Sequence, residues 1–429
     1  MDFSIFAYVA ILLLVALLST RVMKLLKLPN VTGYILTGIL VGPFVFGLLF
    51  NNFSYDGIKD SIIYQHVDKI KWVSNVALGF IAFSIGTSFR KSIIKTVGKR
   101  VILITLFEAL FASLCVILAL LVAHFMFPNE VGWELVLTLG AIASATAPAA
   151  TLMVIKQYRA KGSLVNTLLP VVALDDAVAL ILFSILFQIS LAISGGNFSL
   201  YSMLAKPLIE ICISLAIGTV MGLLISYMNR FFKSRNNRLI WTIFSVFAAL
   251  GFYYLFKSPN LGGFELSSLL MCMMSGAIYT NMCKDSDRTM DVYDRFTSPI
   301  YMLFFVISGA SLDLTIFFNE SGLIVLAIAG VYIVFRVIGK CSGAFTGASI
   351  THSEPKIKKY LGLTLVPQAG VAIGLATTSS NLFSLNPKTK EIGALIIAII
   401  LTSTLVYELV GPFVSKFALK KAGEIPENI

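Results

Sequence analysis

The segment that decides the fold reads Ser163-Leu-Val-Asn-Thr-Leu-Leu-Pro-Val-Val-Ala-Leu-Asp175-Asp176-Ala-Val-Ala-Leu-Ile-Leu-Phe-Ser-Ile-Leu-Phe187. At about 1.5 Å per residue, a helix of this length exceeds the roughly 30 Å hydrocarbon core, so the segment can cross a bilayer. Asp175 and Asp176 lie near its centre. One carboxylate there costs about 2.5–3.5 kcal/mol, and two cost roughly twice that. A pair retained at this cost predicts a cation or proton site inside a membrane transporter.

The composition indicates a polytopic membrane protein. Of the 429 residues, 57% are hydrophobic and 13% are charged, and the mean hydropathy is +0.89. Soluble domains carry about 25% charged residues. The net charge of +11 would suggest nucleic acid as the partner of a soluble chain, but in an apolar chain it is tested first against the positive-inside rule. We therefore expect membrane lipid around the chain and no nucleic-acid partner.

Motifs for enzymatic or cofactor chemistry are absent from the sequence. The five cysteines are scattered singly without a C-x-x-C pair, and the three histidines make no metal-ligand pattern, so we expect no cofactor. No G-x-x-x-x-G-K-[ST] loop is present, which argues against nucleotide-driven transport by this chain alone. The sequence thus predicts a transporter rather than an enzyme.

Thirteen apolar runs are long enough to be transmembrane helices, which predicts an all-α polytopic fold. Of the 33 lysines and arginines, 24 lie in one set of alternate loops, 7 lie in the other, and Arg336 and Lys340 lie inside a run. This asymmetry predicts a multi-pass protein of the cytoplasmic (inner) membrane, with the N-terminus outside and the C-terminus in the cytoplasm. The runs cover about residues 4–24, 31–50, 72–88, 101–126, 133–155, 164–190, 207–228, 240–256, 264–281, 296–313, 321–346, 360–380 and 391–416.

The odd number of runs permits an inverted repeat. The first unit of six runs, within about residues 1–190, starts on the outside. The second unit of six, within about 240–417, starts on the inside, so the run at about 207–228 would be a linker helix. Opposed six-helix units are the plan of many secondary transporters. We therefore expect residues 1–417 to form a single transmembrane transporter domain, followed by a short cytoplasmic tail over residues 418–429.

Two runs carry signals for broken helices. The fifth contains Ala143-Ser-Ala-Thr-Ala-Pro-Ala-Ala-Thr151, and the twelfth contains Thr364-Leu-Val-Pro-Gln-Ala-Gly-Val371. Proline removes a backbone donor and clashes with the preceding turn, and the carbonyls freed at such a break can bind a monovalent cation. An ordinary proline kink is the alternative for either run alone. Their equivalent places in the two repeats favour breaks, formed by the residues Pro148, Pro367, Gln368 and Gly370 and accompanied by the small polar residues Ser144 and Thr146.

The eleventh run carries two cations, Arg336 and Lys340, which are four residues apart and share a helix face. Arg336 lies deep enough to need a buried partner, whereas Lys340 lies nearer the inner end and is expected to extend to the interface. Adjacent helix residues diverge by roughly 100°, so one aspartate can pair with a cation while the other faces a cavity. We expect Asp175 to pair with Arg336, with Lys340 as the alternative partner, and Asp176 to exchange the cation and the proton.

Other acids in the runs are expected to matter less. Glu210 and Glu408 are placed within two turns of their helix ends, where a solvated or capping role is expected. Asp313 is expected at the interface. Glu108 lies about seven residues inside its run, and its role stays open.

These residues resemble the monovalent cation:proton antiporter superfamily, in its sodium/proton exchanger and potassium-efflux branch. The double aspartate is the most specific element, because it is typical of the exchangers with thirteen helices. The resemblance covers nearly the whole chain and rests on Leu28-Pro-Asn-Val-Thr-Gly-Tyr-Ile-Leu-Thr-Gly-Ile-Leu-Val-Gly-Pro43, Ser144-Ala-Thr-Ala-Pro-Ala-Ala150, Asp175-Asp176, Phe304-Phe-Val-Ile-Ser-Gly-Ala-Ser-Leu-Asp313 and Pro367-Gln-Ala-Gly370.

The resemblance implies exchange of a monovalent cation, Na⁺ or alternatively Li⁺ or K⁺, for H⁺ by alternating access. It also implies a six-helix core domain with two crossed, broken helices, and a separate panel that forms a homodimer. Na⁺ would be bound by Asp176 with Thr146, and Asp175 and Ser144 would complete the ion site. Electrogenic relatives usually carry a lysine where this chain has Arg336. Because arginine cannot release a proton, Arg336 as the partner implies electroneutral exchange, whereas Lys340, one turn on, would allow a second proton and voltage-sensitive exchange if it faced the site.

Three other functions are alternatives for this sequence. An intramembrane aspartyl protease needs two carboxylates from different helices around one water, and adjacent aspartates on one helix diverge. A transporter of the same fold that carries an organic anion is a second alternative. A channel-like potassium-efflux protein is the third, although such proteins usually carry a soluble nucleotide-binding domain.

Overall fold

The structure is a computed structural model that describes residues 3–45, 62–128, 130–194, 200–232, 234–257, 266–283, 285–311, 322–384 and 389–426. These residues form α-helices and one π-helical turn at Tyr201–Ala205, without a strand. The helices are α1 Phe3–Leu25, α2 Asn30–Val41, α3 Ile62–Ile70, α4 Trp72–Gly86, α5 Lys91–Met126, α6 Trp133–Ile142, α7 Pro148–Gln157, α8 Ser163–Ile193, α9 Lys206–Met228, α10 Arg235–Lys257, α11 Ser268–Met282, α12 Ser286–Ala310, α13 Gly322–Ile350, α14 Pro355–Thr364, α15 Gly370–Phe383 and α16 Lys390–Lys421.

The predicted all-α fold is confirmed, and the described part of each of the thirteen apolar runs overlaps one helix or a broken pair. Seven helices of the described chain are long and apolar enough to cross a membrane, namely those at Ile5–Leu25, Gly98–Met126, Ser163–Ile193, Met203–Met228, Arg235–Lys257, Leu323–Ile350 and Lys390–Lys421. The count of thirteen spans stays a prediction. Asp313 lies outside the described residues.

The chain divides into two compact units. Residues 1–95 and 210–315 form the first unit. Within it, α2 and α12 cross in close contact, because a Cβ at Gly38 would overlap the carbonyl oxygen of Val306, and one at Gly309 would overlap that of Ile35. These glycines belong to two of the motifs that carried the family resemblance, and here they allow close helix packing.

The second unit comprises residues 96–209 and 316–429. Each of its two segments contains a long helix, a helix broken into two halves, and another long helix: α5, α6/α7 and α8 in the first segment, and α13, α14/α15 and α16 in the second. This repeated order is the one expected for an inverted repeat. The second unit also contains all the candidate site residues.

Candidate functional site

The two broken helices cross at their breaks, as predicted. Helix α6 ends at Ile142 and α7 begins at Pro148, whereas α14 ends at Thr364 and α15 begins at Gly370. The amide of Ala147 in the first break donates a 2.9 Å hydrogen bond to the carbonyl of Pro367 in the second. Proline suits the first position of α7, because the amide it lacks has no partner inside the helix there.

Gln368 links the two breaks through its side chain. Its amide nitrogen donates to the carbonyls of Ile142 and Ala145, at 3.0 and 3.3 Å, and its amide oxygen accepts a 3.0 Å bond from the hydroxyl of Tyr332. The side chain is fully buried. It thereby satisfies carbonyls that α6 leaves without helical partners.

Arg336 binds the backbone of both breaks and does not pair with Asp175, so that prediction was wrong. Its guanidinium donates to the carbonyls of Ala143, Ala145 and Val366 at 3.0, 2.7 and 2.8 Å. The same group lies 4.7 Å from the centre of the Tyr407 ring. The carbonyl ends of helices carry partial negative charge, which a buried arginine fork can compensate.

Lys340 is the partner of Asp175. Its side chain is fully buried, so the prediction that it extends to the interface was wrong. The ammonium lies 3.3 Å from a carboxylate oxygen of Asp175, 2.5 Å from one of Glu108, and 2.5 Å from the carbonyl oxygen of Ser144. Buried charges are tolerated only when paired, and here three acceptors surround one cation.

Asp176 carries the unpaired carboxylate of the site. It is 3% exposed, makes no ion pair with any described residue, and its Oδ1 has no hydrogen-bond partner there. The Oγ1 of Thr146, in the first break, is likewise buried without such a partner. The two aspartates therefore differ in role, since one is tied to a cation and the other presents oxygen atoms.

Ser144 takes part through its backbone. Its carbonyl binds Lys340, and its hydroxyl donates a 2.8 Å bond to the carbonyl of Ala141. Its role as an ion ligand stays a prediction.

Glu108 was the site residue that sequence reasoning left unassigned. A signal for it existed in α13, where Gly339, Gly343 and Gly347 recur every four residues around Lys340. Small residues at this spacing allow two helices to approach closely in a membrane. A Cβ at Gly343 would lie 2.6 Å from the Cα of Glu108, so α5 and α13 are in backbone contact here.

The prediction for Glu408 was wrong. Helix α16 extends to Lys421, so Glu408 lies more than three turns from its end, and it is only 5% exposed. The helix continues past the apolar run because its last turns carry lysines, which suit a helix C-terminus. Glu210 lies in the first two turns of α9, as expected.

Two solved structures share this fold over nearly the full length of both chains, and both are of the sodium proton antiporter MjNhaP1 from Methanocaldococcus jannaschii. The structure at pH 8 aligns with a TM-score of 0.67 at 18% identity and covers 98% of this chain and 99% of that chain. The electron microscopy structure aligns with a TM-score of 0.73 at 20% identity and covers 99% and 100%. No curated protein matches the chain significantly.

The family model described as sodium/hydrogen exchanger, transmembrane, matches residues 9–416. This range includes both broken helices, the two aspartates and the two buried cations. The resemblance inferred from the motifs is thereby confirmed. The protein is a multi-pass membrane transporter that exchanges cations for protons, and the chain belongs to the sodium/hydrogen exchanger family.

Proposed function

We propose that this protein exchanges Na⁺ for H⁺ across the cytoplasmic membrane by alternating access, with Asp176 as the carboxylate that binds either ion. The observation that carries the proposal is the environment of Asp176. Its carboxylate is buried in a spanning helix next to an ion-paired neighbour, yet no described cation pairs with it. An intramembrane acid in this state is a candidate ion site by default.

Competition for one carboxylate supplies the coupling. A free, charged Asp176 is expensive to move through an apolar environment, whereas a carboxylate neutralised by Na⁺ or by H⁺ is not. The site can therefore be exposed to the other side of the membrane when Asp176 carries Na⁺ or H⁺, but not when Asp176 is free and charged. One ion must leave before the other binds, so the two fluxes are linked.

The ligands proposed for Na⁺ are oxygen atoms at the first break. The hydroxyl of Thr146 and the carboxylate of Asp176 are the proposed ligands, and the Oδ1 of Asp175, which has no hydrogen-bond partner among the described residues, is the third. The carbonyls of Ala143, Ser144 and Ala145 are already bound by Arg336 and Lys340. The cations thus hold the shape of the break, and Thr146 and the aspartates bind the transported ion.

Orientation and assembly belong to the same proposal. The excess of lysine and arginine in alternate loops supports an external N-terminus and a cytoplasmic C-terminus. A homodimer is what the family resemblance implies. Cross-linking in native membranes followed by mass measurement tests it, and a mass of one chain throughout would contradict it.

Purified protein in liposomes with an internal pH dye tests the transported ions. We expect an outward or inward Na⁺ gradient to drive proton flux in the opposite direction. Li⁺, K⁺ and a bile acid serve as parallel arms, because a K⁺ preference would favour the efflux alternative and an anion-driven signal the organic-anion alternative. If none of the cations drives a proton flux, the proposed exchange is refuted.

A further inference from the structure

Lys340 has more acidic partners than one ion pair requires. Its ammonium carries three N–H donors, and three acceptors lie within hydrogen-bond reach: Glu108 and the Ser144 carbonyl at 2.5 Å, and Asp175 at 3.3 Å. The bond to Asp175 is the longest of the three. Of the two carboxylates, Asp175 therefore lies farther from the ammonium.

The backbone fixes Glu108 in this position. Glycines on both sides of Lys340 bring α13 against α5, since Cβ atoms at Gly339 and Gly343 would each lie 2.6 Å or less from the α5 backbone at Phe107 to Ala112. Glu108 is fully buried beside this contact. The contact between the two backbones places Glu108 beside Lys340, with the two side chains in an ion pair.

We infer that Glu108 is a positioning residue for cation binding: it is the permanent counter-ion of Lys340 and so frees Asp175 to turn from Lys340 to the transported cation. The inference rests on the proposed function. It adds a third acid, from a different helix, to the two aspartates that the sequence singled out.

The physical reason is the cost of an unpaired buried charge. If Asp175 were the only carboxylate on Lys340, its departure would leave a buried ammonium without a counter-ion, which is strongly unfavourable. Na⁺ would then have to compete with Lys340 for Asp175. With Glu108 in place, Lys340 stays paired while Asp175 moves, so Na⁺ binds more readily.

Glu108→Gln tests the inference in proteoliposomes, with Na⁺-driven proton flux as the readout. We expect the KM for Na⁺ to rise about tenfold or more, the size of one lost charge-assisted hydrogen bond, while the maximal rate stays within about twofold of wild type. Glu108→Asp keeps the charge and should restore part of the loss. Glu408→Gln is the matched control, since it replaces the carboxyl group of another buried glutamate of the same unit and should leave the KM unchanged.

A merely structural role for Glu108 would lower the amount of active protein and the maximal rate without moving the KM, and that result overturns the inference. The double variant Glu108→Gln/Lys340→Met removes one carboxylate together with the cation, so Asp175 alone loses its partner, which costs less than the two unpaired carboxylates left by removing Lys340 alone. Because Lys340 no longer competes for Asp175, the KM of the double variant for Na⁺ should return toward the wild-type value. A KM that stays high in the double variant also overturns the inference.

Failure of the inference is distinct from failure of the proposed function. If wild type exchanges Na⁺ for H⁺ and Glu108→Gln has an unchanged KM for Na⁺, only the inference is overturned. An absence of Na⁺-driven flux in wild type overturns both.

Discussion

The amide of Ala147 donates a 2.9 Å hydrogen bond to the carbonyl of Pro367, and this bond joins two helix breaks that lie 220 residues apart in the sequence. An unwound segment leaves backbone donors and acceptors without helical partners, and here a donor of the first break pairs with an acceptor of the second. Arg336 and Gln368 bind the remaining carbonyls. The oxygen atoms proposed to bind the cation with Asp176 are therefore held by a crossing that is stabilised by buried side chains.

Asp176→Asn should abolish cation-driven proton flux and leave the protein folded. The substitution removes the charge that binds Na⁺ or H⁺ but keeps the shape of the side chain. Flux in proteoliposomes and the melting temperature in detergent measure the two effects. Asp291→Asn, an exposed aspartate in α12, is the control and should transport like wild type. Substantial Na⁺-driven flux in Asp176→Asn would refute the assignment.

Asp175→Asn and Lys340→Ala should differ in stability. Loss of Asp175 leaves Lys340 paired with Glu108, so we expect a loss of about 1–3 kcal/mol, as for one charged hydrogen bond. Loss of Lys340 leaves two buried carboxylates without a cation, so about 3–5 kcal/mol is expected. Thermal unfolding under identical detergent conditions ranks them. The reverse order would show that Asp175 is the main partner of Lys340.

Arg336→Lys should destabilise the site although the charge is kept. A lysine ammonium cannot reproduce the planar fork that reaches three carbonyls, nor its stacking on Tyr407. We expect a lower melting temperature and slower exchange, with Arg336→Ala more severe. Arg235→Lys, at an exposed arginine, serves as the control. Equal melting temperatures for Arg336→Lys and wild type would contradict the proposed clamp.

Exchange should be insensitive to membrane potential. Lys340 retains Glu108 as its partner in the inferred cycle, so Asp176 is the one group that gains and loses a proton, and one proton is traded for one monovalent cation. Valinomycin with set potassium gradients clamps the potential in proteoliposomes. A Na⁺-driven flux that responds strongly to voltage would show that a second group releases a proton.

The cluster around Glu424 should give a pH-dependent contribution to stability. Glu424 accepts bonds from the amides of Leu164 and Val165 at the start of α8, at 2.7 and 2.9 Å, and lies 3.1 Å from the ammonium of Lys356. The hydrogen bond that the Lys356 ammonium donates to Glu424 raises the pKa of Lys356. A raised pKa in the folded state means that the pair stabilises the protein fully below the unfolded lysine pKa of about 10.4, and that this part is lost as the pH rises through the folded value.

Glu424→Gln should therefore melt below wild type near neutral pH, and the difference should shrink, without vanishing, at alkaline pH. It does not vanish because the amide bonds at α8 do not depend on Lys356. Melting curves from about pH 7 to 11 measure the trend. Glu391→Gln, at an exposed glutamate in α16, is the control. A difference that grows with pH would contradict the pair.

Local signals in the sequence determined much of this protein. Long apolar runs predicted the helices, because each span must bury its own backbone groups. The prolines at positions 148 and 367, with small residues around them, predicted the breaks, because a missing donor interrupts a helix wherever the chain later packs. The adjacent aspartates predicted an ion site because two carboxylates in one span are costly in any arrangement.

Only the tertiary structure decided which charges pair. Arg336 and Lys340 share one helix face a single turn apart, so their sequence positions leave either one able to meet Asp175. The choice depends on the depth at which α13 passes the two breaks, and that depth is set by the glycine contacts with α5. Those contacts place Glu108 against Lys340 across 232 positions of sequence and leave Arg336 to the carbonyls of the breaks. A hydrogen bond depends on distances of a few tenths of an ångström, and between distant segments such distances are fixed only by how the helices pack.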